Sequence, residues 1–68
     1  MKITEEIKEM IEMVDKIYVD IETGSEVKVS DVGGMRYKMV KFYDIEEGIE
    51  SEDIIALPHF KQFYKLKD

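Results

Sequence analysis

The chain has no cysteine and no tryptophan, and among its 68 residues it has one proline, one histidine and one arginine. Without cysteine, neither a disulfide nor a thiolate metal site can hold the fold. A domain this short buries only about 60% of the surface its unfolded chain exposes. It must therefore rest on one apolar core or on self-association. The missing cysteine also suits a reducing compartment, and cytoplasm is the expected location. The longest apolar run, Ile54-Ile55-Ala56-Leu57, falls far short of the roughly 20 residues a membrane helix needs. The start, Met1-Lys2-Ile3-Thr4-Glu5-Glu6, turns acidic where a signal peptide would turn apolar, so no membrane segment is expected.

What the chain does have is acid, arranged in blocks. Residues 1–26 hold eight acids and three lysines, and residues 27–43 one acid and four bases. Residues 44–53 hold six acids and no base, and residues 54–68 one acid and three lysines. The balances −5, +3, −6 and +2 sum to the net charge of −6. A hydrophobic fraction of 44%, spread along the whole chain, fits a globular protein and not a disordered one. Nine lysines to one arginine, with nine isoleucines, is the usage of AT-rich coding DNA, as in many phages and low-GC bacteria.

Thr4 suits an N-cap, with Glu5 and Glu6 against the positive end of a helix dipole. Ile3, Ile7, Met10, Ile11, Val14 and Ile17 then recur at three- and four-residue steps opposite Glu5, Glu9 and Glu12, which predicts an amphipathic helix to about Lys16. Ile17 to Glu22 reads as a strand from its β-branched and aromatic residues, although the same stripe would also extend the helix to a stop at Gly24. Glu26 to Val32 and Met35 to Asp44 read as two strands of a hairpin about Gly33-Gly34. The apolar positions change parity at Met39-Val40, which predicts a bulge or a sheet covered on both faces. Ser51 suits a cap for a short helical turn, after which Ile54, Ile55 and Leu57 return to the core. Pro58 opens a closing helix with Phe60, Phe63 and Tyr64 inward, or a final strand. No repeat or linker divides the chain, so residues 1–68 form one domain. The expected class is α+β: an N-terminal amphipathic helix on a three- to four-stranded antiparallel sheet, with a short C-terminal helix or strand.

Val40-Lys41-Phe42-Tyr43-Asp44 followed by Glu52-Asp53-Ile54-Ile55-Ala56-Leu57-Pro58 resembles the strand-turn-strand tail of Tudor and other SH3-like small barrels. The resemblance implies an alternative fold, an SH3-like barrel with an N-terminal helix.

Reactive chemistry finds little support. The one histidine, His59, sits between Pro58 and Phe60, and Ser25, Ser30 and Ser51 suit turn, strand and cap roles, so no nucleophile and base can be paired. The acids of 44–53 miss the spacing of an EF-hand loop, and Gly33-Gly34 lacks the lysine of a phosphate loop. No catalytic residue, metal site or cofactor is expected.

Binding is the expected role. Glu5, Glu9 and Glu12 on one helix face, with Asp44, Glu46, Glu47, Glu50, Glu52 and Asp53, form surfaces suited to a basic groove on another protein, as in small acidic inhibitors that mimic DNA. The expectation is a non-catalytic adaptor or inhibitor. The alternative is a module for single-stranded nucleic acid using Lys28, Arg36, Lys38, Lys41 and Tyr37. Net negative charge opposes it, and lysines on strands also guard edges against aggregation. Met13 lies off the helical stripe and, with Tyr18, suggests an apolar edge through which a homodimer could form.

Overall fold

The computed structural model describes residues 5–34 and 38–67. Ile3, the Thr4 cap, Met35, Arg36 and Tyr37 lie outside them. Helix α1 (Glu5–Met13) buries Met10 and Met13, while Ile11 on its far side is 57% exposed. It stops three residues before Lys16 because the backbone finds better partners in the sheet. Asp15 takes a left-handed φ of 68°, its N–H donates to the Val29 carbonyl at 2.8 Å, and Val29 N–H donates back to Lys16. Met13 follows Met10 by three residues within α1, so the two share the face that packs on the sheet. At 4% exposure, Met13 belongs to the core and not to an exposed edge, and Tyr18 is half-buried against that core.

The segment after the turn is a strand, β1 (Ile17–Asp20), and Ile21 to Thr23 form a turn. Four further strands follow: β2 (Glu26–Gly33), β3 (Met39–Asp44), β4 (Asp53–Ala56) and β5 (Tyr64–Leu66), with helix α2 (Leu57–Phe63) between β4 and β5. All neighbours pair antiparallel in the order β4-β3-β2-β1-β5. The chain is therefore α+β, with five strands and two α-helices among the described residues. β1 becomes a strand because both of its sides are paired, to β2 and to β5, which satisfies its backbone groups as completely as a helix would.

Val27 and Val29 on β2, and Val40 and Phe42 on β3, supply the buried face. The parity break lies on β2 and not at Met39-Val40. A register shift between Val29 and Asp31 lets Val32 face inward again opposite Val40, and β3 alternates regularly. Its pairing with β2 begins at Gly33 and Met39, so residues 34–38 connect the strands in place of a two-residue turn.

The sheet is strongly coiled. β3 and β5 are separated by two strands, which would hold them roughly 14 Å apart in a flat sheet. Yet the rings of Phe42 and Tyr64 have centroids only 5.3 Å apart. Phe60, on α2, is wholly buried. Its ring centroid lies 5.0 Å from Tyr18, 5.3 Å from Phe42 and 4.8 Å from Tyr64. β5 returns beside β1, and α2 packs against β3, β4 and β5. The expected α+β arrangement of an N-terminal helix with an antiparallel sheet holds, with five strands among the described residues in place of three or four.

Pro58 occupies the first turn of α2, where its missing N–H leaves no bond unmade. The helix ends at Phe63, which is 45% exposed and does not join Phe60 and Tyr64 inside; Ile54, at 51%, also points out. The cause is geometric. Leu57 and Phe60 occupy the inward stripe of a two-turn helix, and Phe63 comes round to its outer side just as the chain turns extended. Among the described residues no helix is long and apolar enough to cross a membrane.

Phe60→Ala should cost about 3–5 kcal/mol, comparable to the whole net margin of about 3–5 kcal/mol a core this size supplies. The variant is expected to be largely unfolded at room temperature. Ile54→Ala should stay within about 0.5 kcal/mol of the parent. Urea denaturation followed by circular dichroism checks both.

Candidate functional site: the acidic end of the sheet

Two loops leave the sheet at the same end, the β1–β2 connection (21–25) and the longer β3–β4 connection (45–52). They are built alike. Asp20 ends β1 and its Oδ1 accepts the N–H groups of Glu22 and Thr23 at 2.8 and 3.1 Å. Asp44 ends β3 and its Oδ1 accepts those of Glu46 and Glu47 at 2.8 and 3.2 Å. Four residues after each aspartate a glycine donates its N–H to the aspartate carbonyl at 2.8 Å, Gly24 to Asp20 and Gly48 to Asp44. Both glycines hold positive φ, 79° and 82°, which a side chain would disfavour. The sequence carries this as a repeated pentapeptide, Asp20-Ile21-Glu22-Thr23-Gly24 and Asp44-Ile45-Glu46-Glu47-Gly48. The chain therefore does contain a short internal repeat. It was legible in the sequence and would have added Asp20, Ile21 and Glu22 to the candidate residues.

The second loop is tied down further. Ser51 Oγ accepts the Asp44 N–H at 2.9 Å and donates to the Gly48 carbonyl at 2.7 Å. Ser51 closes the short 3-10 turn Ile49–Ser51 and does not cap a helix start. Ile45 N–H donates to the Glu26 carbonyl at 3.1 Å, joining this loop to β2. A cleft of about 370 Å³ lies between the loops, lined by Thr23, Gly24, Ser25, Glu26, Asp44, Ile45 and Glu46.

Because aspartate carboxylates and backbone groups satisfy each other within the loops, the intervening side chains are left to solvent. Glu22, Glu46, Glu47 and Glu50 are exposed, and among the described residues no hydrogen bond or ion pair engages their carboxylates. Ile21, Ile45 and Ile49 stand among them at 56%, 40% and 61% exposure. Neither loop contains a lysine or arginine.

The other acids expected at the site have other employment. Glu52 is half-buried, with Oε1 3.5 Å from Lys41 Nζ and Oε2 3.0 Å from the Ser30 hydroxyl, so it links β2, β3 and the start of β4. Asp53 Oδ1 accepts the N–H of Ile54 at 2.8 Å. On α1, Glu5 and Glu12 are exposed and Glu9 pairs with Lys61 of α2. α1 packs on β2. Among the described residues no three carboxylate or imidazole groups are gathered as a metal site requires. His59 is exposed on α2.

Of the basic, aromatic group, Lys28 stands opposite Tyr43 on the sheet face away from both helices. Lys41 shares that face and pairs with Glu52; Lys38 is half-buried, its carbonyl accepting the Leu57 N–H at 2.9 Å. Arg36 and Tyr37 lie outside the described residues.

A second hollow, about 540 Å³, opens between α1 and the β1–β5 side of the sheet, over Met13, Tyr18, Tyr64 and Leu66. Burial holds the phenol of Tyr64 above its usual pKa of 10.0, reinforced by Asp20, Asp53 and Asp44. Burial likewise raises Tyr18, with Glu9 adding to the shift and Lys61 opposing it.

Comparison with protein-family models, with curated proteins and with solved structures finds no match.

Two outcomes follow from this geometry. Ser51→Ala leaves the Asp44 N–H and the Gly48 carbonyl without their side-chain partner. It should cost about 1 kcal/mol and speed hydrogen exchange at Asp44 while leaving Asp20 unchanged. Because the folded chain raises both tyrosine pKa values above the unfolded one, their contribution to stability is complete below about pH 10 and is lost as pH rises through the folded values. Titration of tyrosinate absorbance should show late ionisation coinciding with loss of circular dichroism. Ionisation at pH 10 with no change in stability would contradict it.

Proposed function

We propose that this protein is a non-catalytic binding module that docks a basic surface of another protein through the acidic end of its sheet. The observation that carries this reading is that Glu22, Glu46, Glu47 and Glu50 are held outward, free of side-chain partners, in two loops that contain no base. Exposed Ile21, Ile45 and Ile49 stand among them. Apolar anchors surrounded by charge are the arrangement from which protein interfaces draw affinity at the centre and steering at the rim. Asp20 and Asp44 serve this surface indirectly by shaping the loops. Glu5 and Glu12 on α1 extend the negative field that steers a basic partner. An adaptor or an inhibitor that occupies a nucleic-acid groove would both use this surface.

A lysine-rich peptide with leucines at alternate turns is the direct probe. Isothermal titration should show binding that weakens steeply as salt rises, since exposed charges are screened beyond roughly 10 Å at 0.1 M. At about 0.5 kcal/mol per exposed charge, Glu46→Gln, Glu47→Gln and Glu50→Gln together should lower affinity about tenfold. Affinity indifferent to salt and to the triple variant would reject the reading.

A second reading, single-stranded nucleic acid on the uncovered sheet face, draws on Lys28 beside Tyr43, a cation next to an aromatic ring as stacking surfaces use. Low-salt titration with fluorescent oligonucleotides separates the two. Binding lost in Tyr43→Ala and kept in the acidic-loop variant would favour this second reading.

A further inference from the structure

We propose that the partner of the acidic end is a basic amphipathic helix that lies across both loops, with apolar side chains two turns apart seated on Ile21 and Ile45. This rests on the proposed function and adds to it the form of the partner. The likeness of the two loops extends into the strands that carry them. Two residues before each aspartate stands a ring against Phe60, Tyr18 of β1 at 5.0 Å and Phe42 of β3 at 5.3 Å. One residue after each aspartate stands an exposed isoleucine. Its N–H donates toward the β5 side of its own strand, Ile21 to the Phe63 carbonyl at 2.9 Å and Ile45 to the Glu26 carbonyl at 3.1 Å. β1 and β3 both run antiparallel to β2, so they run parallel to each other. One Ile-Glu pair therefore repeats the other by translation across the end of the sheet.

The backbone of the loops selects a helix. An extended peptide binds by main-chain hydrogen bonds to a free edge, and here the N–H groups are already used. Those of Glu22 and Thr23 go to the Asp20 carboxylate, and those of Glu46 and Glu47 to that of Asp44. Gly24 and Gly48 donate to the aspartate carbonyls, and Ser25 N–H donates to Thr23 Oγ1 at 3.2 Å. What the loops offer is side chains, and a helix, whose own backbone is satisfied internally, binds through side chains alone. Spacing then selects the repeat. Asp20 N–H donates to the Ser25 carbonyl and Asp44 stands opposite Val27, so the loops leave opposite sides of β2 two residues apart along it. In a flat sheet equivalent atoms are then about 12 Å apart, a distance that coiling shortens. A helix returns to the same side after four, seven and eleven residues, or about 6, 10.5 and 16.5 Å along its axis. The seven-residue step fits. Charge completes the match: with an apolar residue on each isoleucine, lysines one turn away reach Glu22 and Glu46, and neither loop holds a base to oppose them.

Three synthetic peptides of equal length and charge test this by isothermal titration at low salt. The first carries leucines seven residues apart with lysines one turn from each. The second moves the leucines to eleven apart on the same face, and the third is the first with a central proline, which breaks the helix. The first should bind and gain helicity by circular dichroism, and the other two should bind at least tenfold more weakly. Ile21→Ala and Ile45→Ala, both at exposed positions, should keep the spectrum of the protein and each lower affinity for the first peptide about fivefold, as truncated anchors do. Equal binding of the three peptides, or binding without a gain of helicity, would overturn the helix and leave a salt-sensitive acidic surface standing. An effect in only one of the two alanine variants would overturn the bridging of both loops. Absence of binding by every peptide would overturn this proposal together with the function on which it rests.

Discussion

The cluster of rings around Phe60 is the contact on which the rest of the molecule depends. Among the described residues eight apolar side chains are buried, only four of them on the five-stranded sheet, which has little to bury if it lies flat because one helix cannot cover it. Coiling brings Phe42 of β3 and Tyr64 of β5 to the same ring, and Phe60 on α2 occupies the space between them. Edge-to-face and offset contacts of this kind add about 0.5–1.5 kcal/mol per pair beyond the area they bury. Because Phe60, Tyr64 and the strand partner Tyr18 come from three elements, this contact also sets where β5 begins.

The same closure determines what the acidic loops can present. Asp20 and Asp44 end strands of one coiled sheet, and the pKa of Tyr64 is raised first by burial and then by the negative charges of Asp20, Asp53 and Asp44. Each loop is then organised locally, by an aspartate that takes two backbone N–H groups and a glycine that accepts a left-handed turn. Such loops keep their side chains outward without help from a partner, which lowers the entropy lost when one binds. The two halves of the chain thus divide the work: aromatic closure holds the scaffold and polar turns shape its acidic end.

Much of this was legible from residue pattern. The amphipathic helix, the strands of β2 and β3, the proline start of α2 and the acidic block all follow from local periodicity and turn chemistry. The repeated Asp-Ile-Glu-x-Gly segments were equally legible and mark the candidate surface more sharply than counting acids does. Counting treated Glu52 as equivalent to Glu47, because charge alone does not reveal that one faces Ser30 and Lys41 and the other faces water. Met13 misled for a related reason: it shares a helix face with Met10, and only packing on the sheet shows that this face, and not the one carrying Ile11, is the buried one.

By itself, the sequence determined the element types wherever a single period or a single turn dominated, and it determined the segregation of charge, since both are properties of neighbours along the chain. Only the tertiary structure decided that residues 17–20 are a strand, that the parity break falls at Ser30, and that Phe63 and Ile54 face out. Those outcomes depend on pairing with β2 and β5 and on the coil around Phe60, which are contacts between residues distant in sequence that no local pattern encodes.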